Sequence, residues 1–98
     1  MKELGKIRAA YYGTISDYPF LMGLNVTIEH DGCIAGNQVG LVNTNRLDDG
    51  CAKKSIMEIK QLLEDANVLS VDDLVGKPVE ATYENNSLKS FRILKEVL

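Results

Sequence analysis

The sequence predicts an α+β domain: a five-stranded antiparallel sheet in the order β-β-β-α-β-β, with one helix packed on it. Three observations carry that reading. Apolar and polar residues alternate along residues 6–15 and 20–29, the signature of strands with one face in a core. A single stretch, residues 55–67, has apolar residues at spacings of three and four instead. The 98 residues are enough for one core and not for two, so residues 1–98 form a single domain. A helix on one face is the economical way to bury such a sheet. A barrel-like closure is the alternative, because the five-stranded OB barrel has the same element order.

In KIRAAYYGTI, residues 6–15, Ile7, Ala9, Tyr11 and Ile15 fall on one face and Lys6, Arg8, Ala10, Tyr12 and Thr14 on the other. Ser16-Asp17-Tyr18-Pro19 is a turn, since Asp bonds its own downstream backbone and Pro cannot donate to a ladder. Phe20, Met22, Leu24, Val26 and Ile28 then alternate with Leu21, Gly23, Asn25, Thr27 and Glu29, which makes a second strand and a long hairpin. His30-Asp31-Gly32 turns into a third strand, residues 33–42, whose Gly36 and Gly40 signal a bulge or a close approach by another backbone or a ligand.

NTNRLDDG, residues 43–50, is a polar loop. Ser55 and Glu58 match the S-x-x-E capping box, so the helix is expected to start there, with Ile56, Ile59, Leu62, Leu63 and Ala66 on its apolar face and Asn67 at its end. Ser70 with Asp73 marks one further helical turn, closing at Gly76. Pro78 opens a second hairpin, with Val79, Ala81, Tyr83, Phe91, Ile93 and Val97 inward and Glu84-Asn85-Asn86-Ser87 as its turn.

Function is bounded mainly by exclusion. The net charge is −3, unfavourable for general phosphate-backbone binding, so nucleic acid is not the expected partner. No run approaches the roughly 20 apolar residues of a membrane span. The N-terminus, MKELGKIRAA, has no apolar signal region, so a cytoplasmic location is expected. Cys33 and Cys51 match no zinc spacing, and they are read as reduced thiols. His30 is the one histidine and sits in a turn, where a solvated side chain is expected in place of a catalytic base. Asp48 and Asp49, with Asn43 or Asn45, could bind a divalent cation, but the spacing is not that of a calcium loop and suits a lead-in to the helix. No enzyme, cofactor or metal site is expected.

Binding candidates remain. Residues 9–23 hold four of the six aromatics. Alternation assigns Tyr11 and Phe20 to the core, and leaves Tyr12 on the far face beside Arg8, and Tyr18 at the turn, for recognition. Gly36 and Gly40, with Arg8, Arg46 or Arg92, could instead hold a small nucleotide-like ligand, because glycine-rich backbone and Arg both bond phosphate.

YYGTISDYPFLMGLNVTIE and LVGKPVEATYENNSLKSFRILKEVL together resemble a family of small proteins encoded by bacteriophages and prophages, over about half the chain, with residues 30–52 divergent. The family has no assigned catalytic or binding residues. The resemblance implies an accessory protein that inhibits a host or defence factor, or that sequesters a small signal molecule. Three readings follow: a non-enzymatic protein binder, a binder of a nucleotide-like molecule with the site in one copy or at a homodimer interface, and an OB-like single-strand binder, which the net charge disfavours.

Overall fold

The computed structural model describes residues 2–15, 17–47 and 50–97. Five strands, β1 (Lys2–Ile15), β2 (Tyr18–His30), β3 (Cys33–Asn43), β4 (Pro78–Glu84) and β5 (Ser87–Ile93), form one antiparallel sheet in the order β3-β2-β1-β4-β5. The helix α1 (Cys51–Ala66) lies between β3 and β4 in sequence and packs on the sheet. The α+β architecture expected from the alternation is therefore the observed one. Ser16, Asp48 and Asp49, which belong to the predicted first turn and polar loop, lie outside the described residues.

β1 organises the sheet. It starts four residues earlier than the alternation suggests and is shared between two partners: Lys2 to Lys6 pair with β4, and Lys6 to Ile15 pair with β2. This handover curls the sheet until its two edges approach, and Asn37 Nδ2 on β3 donates to Lys89 O on β5 at 3.5 Å. No strand pairing joins β3 to β5 among the described residues, so the barrel-like alternative is not reached and the sheet stays open.

The first strand carries a bulge at Arg8. Ile7 pairs with Ile28, whereas Ala9 pairs with Thr27 and Ala10 with Val26. One extra residue reverses the facing of everything after it. Ile7 remains in the core, but Ala10 and Tyr12, not Ala9 and Tyr11, then share the face of Val26 and Leu24. The backbone of Ile7 also joins the segment before β4: its N–H donates to Lys77 O at 3.0 Å, and its C=O accepts from Gly76 N–H at 2.7 Å.

The core comprises Ile7, Leu24, Val26, Ile28, Leu62, Ala66, Leu74, Val79, Ala81 and Ile93. Leu74 comes from the predicted short turn, a 3₁₀ segment (Val71–Leu74) begun at Ser70. Asn67 ends α1 in the left-handed region at φ 57°, and Asn67 and Val68 N–H groups bond Glu64 O and Leu63 O at 3.0 Å each. Outside the β1–β2 hairpin, predicted core positions Ile56 on α1 and Val97 beyond β5 face outward, each 65% exposed.

The helix start differs from the sequence expectation. α1 begins at Cys51 after Gly50 at φ 86°, so Ser55 and Glu58 lie inside it. They reach across to β3 instead. Ser55 Oγ donates to Gly40 O at 2.5 Å, and Gly40 N–H donates to Glu58 Oε2 at 3.1 Å. Gly40 sits in a second bulge, where Met22 pairs with Val42 but Leu24 with Val39. Its φ is +65°, and a Cβ there would stand 2.8 Å from Ser55 O and 3.1 Å from Ile59 Cδ1. The close approach predicted for this glycine is made by the helix.

Candidate functional site

The far end of the β1–β2 hairpin lies beyond the core, whose β2 members stop at Leu24. Tyr11, Tyr12, Tyr18 and Phe20 are all exposed there, at 57%, 47%, 54% and 41%. Two of these depart from expectation. Tyr11 leaves the core because the Arg8 bulge turns it outward, and Phe20 lies on the Leu24 face but past the layer that covers it. Tyr12 also changes sides, yet remains exposed for the same reason as Phe20. Tyr18 is exposed as the turn implied.

This end is anchored as well as exposed. Tyr18 and Phe20 rings meet edge to face, 6.1 Å apart and 78° between planes. Thr44 N–H and Oγ1 both donate to Phe20 O, at 2.8 and 2.9 Å, tying the tip to the end of β3. The Tyr11 ring lies over Gly13, with Cε2 3.4 Å from where a Cβ would stand. Residues 9–28 contain a single charged side chain, Asp17. Tyr12, Tyr18 and Phe20 lie towards the Leu24 face and Tyr11 on the opposite one; exposed aromatics with little charge beside them are the composition found at the centre of protein interfaces.

Two of the three arginines are committed elsewhere. Arg8 NH1 pairs with Glu29 at 3.3 Å. Arg92 Nε bonds Glu80 at 3.1 Å, and its two terminal nitrogens bond Glu96 at 3.2 Å each. Bonding to Glu96 and then Glu80 raises the Arg92 pKa above its usual range, and the same pairing with Arg92 lowers that of Glu96. Arg92 does reach a shallow cleft at the β3–β5 seam with Asn37, Gln38 and Val39, but Glu58 and Asp65 line it too. Arg46 is exposed in the loop after β3. Gly40 gives its N–H to Glu58, which leaves it no donor for a phosphate. The nucleotide-like constellation is therefore not assembled around the glycines.

Gly36 is exposed and open, and borders a different cleft of about 530 Å³ lined by Glu3, His30, Cys33, Ala35 and Tyr83. His30 is not the solvated turn residue expected. The turn itself is present, with Asp31 at φ 48° and Gly32 at φ 81°, but the alternation of Leu24, Val26 and Ile28 runs on through His30. Its ring stands edge to face with Tyr83, 5.1 Å away at 71°. Its Nδ1 is buried with no hydrogen-bond partner among the described residues. Gly5 makes room, since a Cβ there would lie 3.2 Å from His30 Cβ and 2.5 Å from Glu29 O. Glu3, two residues back along β1, thereby meets His30 and Asp31, with ligand atoms within 4.8 Å of one another. Desolvation raises the Tyr83 pKa above 10.0, helped by Cys33 and Glu3 nearby. Period two extended from Ile28 to His30, and back from Ile7 to Glu3, is the sequence signal that would have found this cluster.

Neither cysteine is in a disulfide; Cys33 is exposed, and Cys51 Sγ donates to Arg46 O at 3.3 Å. No helix among the described residues is long and apolar enough to cross a membrane. The chain matches no family model, no curated protein and no solved structure.

Proposed function

We propose that this is a non-enzymatic binding protein that acts in the cytoplasm by docking the aromatic end of its β1–β2 hairpin onto a protein partner, inhibiting a host or defence factor. One observation carries the reading: four exposed aromatic side chains on a hairpin whose residues 9–28 hold one charge. Tyr and Phe supply large contact area at low entropic cost, and an uncharged surface loses little on desolvation. The surface matched to it is apolar or neutral-polar, with few Lys or Glu. The two tyrosines singled out from sequence, Tyr12 and Tyr18, belong to this surface, whereas Arg8 sits at its border, paired with Glu29.

The test is affinity capture by the wild-type chain and by a Tyr12→Ala/Tyr18→Ala double variant, compared by mass spectrometry. Both side chains are about half exposed, so the variant should fold as the wild type does. A protein held stoichiometrically by the wild type and lost by the variant supports the proposal. Equal capture by both chains overturns it. Self-association through the same surface would appear as a dimer in light scattering that the variant abolishes, and would replace the foreign partner with a second copy.

A further inference from the structure

We infer that Glu3, His30 and Asp31 form a binding site for a divalent transition-metal cation of the zinc class at the mouth of the Tyr83 cleft. The three side chains come from two separate strands and a turn, and their ligand atoms converge within 4.8 Å. Three ligands around a tetrahedral ion stand roughly 3.4 Å apart, so modest side-chain rotation closes the set. One imidazole and two carboxylates suit zinc-class ions; Mg²⁺ and Ca²⁺ prefer oxygen alone.

Two further observations favour a cation here. His30 Nδ1 is buried without a hydrogen-bond partner among the described residues, so the fold leaves a ring nitrogen unused. Glu3 and Asp31 form no ion pair with Lys or Arg among the described residues, unlike Glu29, Glu64, Glu80, Glu84 and Glu96. Two carboxylates beside a histidine without a counter-cation repel one another, and a divalent ion relieves that repulsion. Three protein ligands leave a fourth coordination position for water or another ligand, as in zinc sites that exchange a ligand. Bound metal would also pin the β2–β3 turn to the start of β1.

The test is calorimetric titration of the untagged 98-residue chain with ZnCl₂, with MgCl₂ as the comparison. Glu3→Gln and Asp31→Asn keep side-chain shape, and Asn tolerates the left-handed backbone at position 31. One zinc per chain is expected, with little response to magnesium, and each variant should weaken zinc binding about ten-fold or more. A Co²⁺ complex should lack the thiolate charge-transfer band that Cys33 or Cys51 ligation would give. Absence of zinc binding, unchanged affinity in both variants, or a thiolate band would each overturn the inference.

Discussion

Replacing Gly40 by alanine should be among the most costly single-methyl changes in the chain. The backbone there is at φ +65°, where an L-residue costs about 1–2 kcal/mol. The new Cβ would stand 2.8 Å from Ser55 O and 2.9 Å from Ser55 Oγ, so β3 and α1 must separate. Overpacking of that kind adds about 1–3 kcal/mol. The sum, roughly 2–5 kcal/mol, is a large part of the roughly 5–15 kcal/mol available to a domain of this size. Gly32→Ala is the internal control: its φ is +81°, but nothing lies within 4 Å of the added carbon, so only the conformational cost applies. Urea unfolding of both variants reads the difference as a shift in midpoint at constant slope. Equal destabilisation by the two substitutions would refute the clamp of α1 on the Gly40 bulge.

Other consequences are as direct. Tyr83 has its pKa raised in the folded chain, so the folded state holds the phenolic proton more tightly than the unfolded state does. Its contribution is full below pH 10 and is lost as pH rises through the higher folded value; thermal melts should show an alkaline loss of stability that Tyr83→Phe lacks. Asn85 and Asn86 occupy the hairpin turn at φ 54° and 65°. Asn86→Val should cost about 1–2 kcal/mol in denaturant unfolding, whereas Asn86→Gly should cost nothing. Because Arg8 and Arg92 are held by carboxylates, nucleoside phosphates should leave the melting temperature unchanged.

The parts legible in the sequence are those set by local pattern. Alternation from Leu24 to Ile28, the Asp31-Gly32 and Asn85-Asn86 turns, Pro78 at a strand start and Asn67 at a helix end all appear where their chemistry implies. The parts misread depend on pairing between distant segments. Nothing near Arg8 marks the bulge, which lies just past Lys6, where the pairing of β1 with β4 ends, and that bulge exchanged the faces of Tyr11 and Tyr12. Ser55 and Glu58 have capping-box spacing, but their partner is Gly40, fifteen residues before Ser55. Reading His30 as part of a turn hid its place at the end of the core face, and Glu3 lay outside the stretch read as a strand.

The most direct test of the hairpin as a docking surface is hydroxyl-radical footprinting of the chain, free and in complex with a captured partner. Docking through the hairpin predicts protection of Tyr12, Tyr18 and Phe20, with Tyr11 on the opposite sheet face and exposed Ile56 and Met57 on α1 unchanged. Protection of the α1 residues, with Tyr12, Tyr18 and Phe20 as reactive as in the free chain, would contradict it.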